Sequence, residues 1–397
     1  MKQGVSQYQQ SVIGLHSKNV EMRPMDFEKR SNGAGSKLEE VGVEALLVTS
    51  PVNIRYLTGF TGSAGILLIS NTGSGYSGML ATDGRYEMQA RDQIRQSGVQ
   101  IEVFIGSPPD QLGAVAAASS GMRRIGVESE NITLDFYSGM LDSGIFASSE
   151  LVPLKGTIES LRVVKDFGEV DRIARAAEIA DEAFASIVSR LAGWVSTSGG
   201  ITEADVAAEL DHAMRMRGSS EPAFETIIAC GLNGARPHHR ASDSRLMPGK
   251  AIVFDFGATI DGYRSDMTRT LCVGEPDSPV IRDMFAVVAE SQLAGVRAAR
   301  LGAGLRDIDI ACRSVVGSAG WAKNFIHGTG HGVGHDIHEK PWIGAASVGI
   351  LAEGMVLTVE PGVYLEEYGG VRIEDTVVIT SEGGQVLTRS PKEPFIS

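Results

Sequence analysis

The segment 253–270 constrains this chain more than any other. In Val253-Phe-Asp-Phe-Gly257, Asp255 stands in the middle of an apolar strand. A carboxylate there is costly to bury unless something cationic meets it. Asp266 follows eleven residues later, in Tyr263-Arg-Ser-Asp-Met-Thr-Arg-Thr270. Between them Asp261-Gly262 is a hairpin signal, so the two strands pair and both aspartates can face one point. Like charges facing each other across a sheet destabilise it, so the pattern asks for a metal ion. The bland alternative is a pair of ordinary strand-end aspartates.

Two further acids occupy comparable positions. Val359-Glu-Pro-Gly362 ends an apolar strand at Glu360, and Gly370-Val-Arg-Ile-Glu-Asp375 opens another that carries Glu374. Either would be unremarkable on a surface; their value lies in the set. Four of the eight histidines fall in His327-Gly-Thr-Gly-His-Gly-Val-Gly-His-Asp-Ile-His338. The glycines argue against a helix. In an extended backbone His327, His331 and His335 would share one side, and glycine would let the chain approach a crowded site closely. His238 lies on a loop just before the first aspartate strand. Asp255, Asp266, His331, Glu360 and Glu374 form a donor set for two hard or borderline divalent cations. Such a pair activates water for amide hydrolysis. The oxygen-rich set favours Mn²⁺ or Co²⁺ over a closed structural zinc site.

The 397 residues suffice for two domains. A net charge of −13 without a basic run excludes a general nucleic-acid surface and argues against anionic membranes. No apolar run is long enough to span a bilayer. Cys230, Cys272 and Cys312 are too scattered for a disulfide framework, and read as reduced thiols of a cytoplasmic protein. Residues 1–35 lack a signal peptide's apolar core and end in a Ser/Asn/Gly-rich run; they read as a disordered or loosely attached arm. Apolar runs at 43–49, 65–70 and 99–105 read as strands, and 83–96 as a helix stopped at Gly98. These predict a layered α/β domain over 36–160. Over 161–397 the pattern predicts an α+β domain with a mainly antiparallel sheet. Its helices cover 169–191, 202–216 (capped by Thr202), 279–300 and 305–319; its strands cover 227–229, 251–256, 268–273, 355–359 and 376–379.

The ordered set DFG…SDMTRT…HGTGHGVGH…VEPG…RIED, across roughly 165–397, resembles the pita-bread metallopeptidases: methionine aminopeptidases, Xaa-Pro aminopeptidases and prolidases. The stretches 53–63 (NIRYLTGFTGS) and 81–86 (ATDGRY) resemble the creatinase/prolidase N-terminal domain, which implies the proline-specific branch. The resemblance implies hydrolysis of Xaa-Pro bonds in dipeptides or short peptides by a hydroxide bridging two metal ions. Mn²⁺ comes first, with Co²⁺ or Zn²⁺ as alternatives. It implies that Asp255 chelates one metal, that Asp266 and Glu374 bridge, and that His331 and Glu360 hold the second. Glu360 would also accept the proton of the bridging water. His238 and His338 match catalytic histidines that contact substrate. His327 and Arg372 match positions behind the ligands or in the substrate pocket. His335 stands where this branch often has leucine, and is expected to be a further pocket histidine, with a tolerated neighbour as the alternative. A homodimer is implied as well. The alternatives are a metal-dependent hydrolase of a small non-peptide amide and a creatinase-like C–N hydrolase.

Overall fold

The computed structural model describes residues 21–73, 75–197 and 200–396. They divide into two compact units, one of Met25–Arg162 and one that takes the chain from Val163 onward together with residues 21–24.

The first unit runs α1 (Phe27–Val41), β1 (Ala45–Val48), α2 (Pro51–Thr58), β2 (Ile66–Asn71), β3 (Tyr76–Thr82), α3 (Glu87–Ser97), β4 (Ile101–Ile105), α4 (Pro108–Ala118), β5 (Arg124–Glu128), α5 (Leu134–Asp142), β6 (Glu150–Leu154) and α6 (Glu159–Arg162). The strands form one sheet in the order β4-β3-β2-β1-β5-β6. β1 pairs antiparallel with β2 and parallel with β5, and all of its residues are buried. An unbroken apolar run is what a strand covered on both faces requires.

The expectation of a loose arm over 1–35 is corrected from residue 27 onward. There α1 begins, with Asp26 Oδ1 accepting the Lys29 N–H at 2.9 Å. The helix buries Ala34, Gly35 and Leu38. A Cβ on Gly35 would lie 2.4 Å from the Gly75 carbonyl oxygen, so glycine here permits close packing rather than marking looseness. Residues 1–20 of that arm lie outside the described residues.

The second unit runs α7 (Phe167–Ser196), α8 (Glu203–Arg215), β7 (Ile227–Cys230), β8 (Ala251–Phe256), β9 (Thr259–Ile260), β10 (Tyr263–Arg264), β11 (Met267–Val273), α9 (Pro279–Ala298), α10 (Leu305–Ser318), β12 (Gly330–Gly332), β13 (Glu339–Ile343), β14 (Val356–Val359), β15 (Gly362–Leu365), β16 (Gly369–Arg372), β17 (Asp375–Thr380), β18 (Gly383–Val386) and β19 (Phe395–Ile396). One sheet has the order β19-β11-β8-β7 and another β13-β12-β14-β17-β18. Their pairings are antiparallel except β11 with β19. The long α7 begins with a capping box between Asp166 and Glu169, and its alanine-rich face packs on the first sheet. There Phe184 meets Phe254 and Phe256 at centroid distances of 5.4 and 5.2 Å. Residues of α9 and α10 share a core with the second sheet. This is the expected α+β architecture, with helices backing mainly antiparallel sheets.

Candidate metal centre

The predicted hairpin forms, with Ile260 opposite Tyr263 across the Asp261-Gly262 turn. Further out, Asp255 on β8 stands opposite Thr268 on β11. Asp266 lies two residues before Thr268 and so shares that face. Glu374, just ahead of β17, donates its N–H to the Thr268 carbonyl at 3.1 Å. Its Oε2 accepts the Thr268 hydroxyl at 2.7 Å. Glu360 follows β14, with its N–H on the Thr329 carbonyl at 2.8 Å. His331 is the middle residue of β12. A Cβ on the preceding Gly330 would lie 2.0 Å from the Thr358 carbonyl oxygen, so only glycine lets this strand press against β14.

The electrostatics of the cluster are unfavourable as they stand. Ligand atoms of Asp266, His331 and Glu374 all lie within 4.8 Å of one another. His331 Nδ1 is 3.1 Å from the Gly332 carbonyl. A carbonyl can only accept, so Nδ1 carries the proton and Nε2 presents a lone pair. That lone pair faces Asp266 Oδ2 at 3.6 Å and Glu360 Oε1 at 3.3 Å. Asp255 Oδ1 and Glu374 Oε1 are buried without a hydrogen-bond partner. Burial, reinforced by Glu374, Asp255 and Glu360, holds Asp266 well above the usual carboxylate range. Burial with Glu360 and Asp255 does the same to Glu374, and burial raises Glu360. Burial also lowers His331, keeping it neutral. Crowded carboxylates, orphaned oxygens and an imidazole lone pair turned on one space are what divalent cations satisfy.

The cluster opens into a cavity of about 580 Å³. His238 and His338 line it, both exposed. The His338 ring stands edge-on to His331 at 4.4 Å, and partial loss of its water at the cavity wall, together with His331, holds it below the ordinary histidine value. His327 also lines the cavity. Its Nδ1 sits 2.7 Å from the Gly328 carbonyl and must donate, so Nε2 accepts the Tyr364 hydroxyl at 2.8 Å. Arg372 lines the cavity but spends its donors on the protein: Asp255 Oδ2 at 2.6 Å, Thr268 Oγ1 at 3.0 Å and the Tyr364 hydroxyl at 2.9 Å. It therefore orients Asp255 and Tyr364.

His335 is a correction. It is not among the cavity-lining residues. It is buried against Tyr263, with ring centroids 4.0 Å apart, and its Nδ1 is 3.1 Å from the Gly262 carbonyl. The alternation that would have aligned it with His327 and His331 ends at the register shift between His331 and Gly332, beyond which the chain bends.

Sequence reasoning missed Glu203. It is fully buried in the first turn of α8. It accepts the Cys230 N–H at 2.8 Å, Asn233 Nδ2 at 3.0 Å, and the N–H and hydroxyl of Ser242 at 3.1 and 2.7 Å. His239 Nε2 lies 2.8 Å away. One carboxylate thus gathers the loop that presents His238. No local signal could have found it, because every partner is at least 27 residues distant.

The fold and the donor set are those of a metal-dependent hydrolase. Residues 171–381 match metallopeptidase family M24, and residues 30–164 match the creatinase/prolidase N-terminal domain. The chain is similar to the uncharacterized peptidase YqhT of Bacillus subtilis, at 39% identity over 94% of this chain and 100% of that one. It superposes on the Xaa-Pro dipeptidase from Bacillus anthracis with a TM-score of 0.85, at 35% identity, covering 93% of this chain and 100% of that one. On the X-Pro aminopeptidase from Thermotoga maritima the TM-score is 0.81, at 32% identity, covering 91% and 100%. The chain belongs to metallopeptidase family M24, with a creatinase/prolidase N-terminal domain.

Proposed function

We propose that this protein hydrolyses the Xaa-Pro bond of dipeptides and short peptides. Two divalent cations, Mn²⁺ in the first instance, would be held by Asp255, Asp266, His331, Glu360 and Glu374. The observation that carries this reading is the His331 Nε2 lone pair, turned on two carboxylates at the floor of an open cavity. When bound, the cations supply a water acidified enough to ionise near neutral pH.

The chain's own residues supply the rest. Glu360 keeps 18% of its side chain exposed, more than the 6% of Asp266, and burial raises its proton affinity. It is suited to take a proton and return it to the leaving nitrogen. His238 and His338 offer imidazole N–H groups to the oxyanion that develops at the scissile carbonyl. Arg372 fixes Asp255, and Thr268 holds one oxygen of Glu374 while leaving the other free.

The test uses metal-stripped protein reloaded with Mn²⁺, Co²⁺ or Zn²⁺ and assayed on Ala-Pro, Met-Pro, Ala-Pro-Ala and Ala-Ala. Cleavage of the proline peptides but not Ala-Ala, with two metals per chain by elemental analysis, is expected. Cleavage of the tripeptide makes the enzyme an aminopeptidase; its refusal makes it a dipeptidase. No turnover of any proline peptide by the metal-loaded protein would overturn the reading in favour of a non-peptide amide. The working form we infer is a homodimer, as the resemblance implies, and a cytoplasmic one, as the three free cysteines suggest. A light-scattering mass equal to the 42.1 kDa chain would overturn the dimer.

A further inference from the structure

Trp342 is the fourth residue of β13 and stands directly opposite His331 across the β12–β13 pairing. Directly opposed residues point to the same face of a sheet, so the indole lies on the side of the metal donors. Its ring centroid is 6.4 Å from that of His331, yet 52% of the residue remains exposed. A tryptophan's large apolar surface is ordinarily buried for most of its extent. With Phe224, Ile227, Pro237 and Ile337 it supplies the apolar lining of a cavity otherwise rich in acids, histidines and arginines. It also borders a second trough of about 890 Å³, lined mainly by the apolar and small residues of 341–350. The wall is therefore open outward.

A pocket for a ring of fixed size, such as proline, gains most by closing around it. An open wall instead suits a side chain whose size varies from one substrate to the next. We propose that Trp342 is the specificity-determining residue for the Xaa position, an aromatic platform that favours large apolar side chains over glycine and alanine. This rests on the Xaa-Pro reading above. The metal donors and cavity histidines act on the scissile bond in every substrate, whereas the indole discriminates among them.

The experiment measures kcat and KM on Gly-Pro, Ala-Pro, Leu-Pro and Phe-Pro for the metal-loaded wild type, Trp342→Ala and Trp342→Phe. In the wild type kcat/KM rises along the series. In Trp342→Ala the ratio of Phe-Pro to Gly-Pro falls about tenfold, mostly through KM, the scale of discrimination an apolar contact provides. Trp342→Phe retains most of the ratio. Should the alanine variant not fold, Trp342→Leu carries the same test. A ratio unchanged in the variants overturns the proposal, as does a kcat that falls equally on all four substrates. So does a loss that tracks the second residue (proline against pipecolic acid, with alanine held at Xaa). A flat wild-type profile with Gly-Pro cleaved sinks the Trp342 assignment alone; failure to cleave any proline peptide sinks the Xaa-Pro reading with it.

Discussion

Glu374 and Asp375 are neighbours in the chain, both buried, and opposite in circumstance. Glu374 has one oxygen on the Thr268 hydroxyl and the other without a partner, and its surroundings hold it well above the carboxylate range, burial first and then Glu360 and Asp255. Asp375 receives Arg269 at 2.8 Å, Gln292 at 2.8 Å, the Thr388 hydroxyl at 2.9 Å, and Lys392. Burial would raise it, but Arg269 and Lys392 outweigh that and hold it low. Successive residues of an extended chain face opposite sides, which is how one acid reaches the cavity and the next a cationic cluster. Burial alone does not separate a functional acid from a structural one. The supply of donors does.

The largest effect is expected on the structural side of this pair. Asp375→Ala strands the buried Arg269 without its carboxylate, a loss of about 3–5 kcal/mol in urea unfolding. Glu374→Gln has the opposite sign in metal-free protein, because it removes a carboxylate whose charge its neighbours oppose. A gain of about 1–2 kcal/mol is expected, together with loss of bound metal and of activity. The pH dependence follows from the raised values of Glu374 and Asp266. The folded metal-free protein keeps protons that the unfolded chain has already released. Their contribution to stability is complete below the unfolded value, near pH ~4, and falls as pH rises through the folded values. The stabilisation by Glu374→Gln is therefore larger at pH 8 than at pH 5, as thermal unfolding in chelator would show. A destabilised metal-free Glu374→Gln would erase the distinction between the two acids.

Much of this was legible in the sequence, and the reason is local. Asp255 and Asp266 declare themselves because an apolar strand, a two-residue turn and a second strand are short-range patterns, and β8 runs over the residues expected of it. The helices from 279 and 305 end within two residues of expectation for the same reason. What failed depended on distant partners. α1 contains Ser31, Asn32, Gly33 and Gly35, a composition that reads as loop until Gly75 is brought against it. His335 was misplaced because a register shift cannot be read from alternation. Asp375 and its partner Arg269 are 106 residues apart, so the same RIED run gave no sign that its last acid is structural.

Glu203 sharpens the comparison, since it has donors like Asp375 yet serves the cavity like Glu374. Glu203→Gln keeps the shape but replaces one acceptor oxygen with an NH2 that can only donate, so whichever way the amide turns either the Ser242 and His239 donors or the Cys230 and Asn233 donors lose their acceptor. The loop bearing His238 should shift, lowering kcat about tenfold, which corresponds to about 1.4 kcal/mol, with KM less affected. Because the effect is argued to pass through His238, adding Glu203→Gln to His238→Ala should cost little more; additive losses would make Glu203 a fold residue only. The smallest effect belongs to acids that water serves. Glu87 and Arg91 pair at 3.2 Å on an exposed face of α3, each more than half exposed. Arg91→Ala should change stability by no more than about 0.5 kcal/mol, because solvent replaces the lost partner. A larger loss would mean that donor supply matters at the surface as it does in the interior, and the contrast between Glu374 and Asp375 would no longer rest on burial making donors scarce.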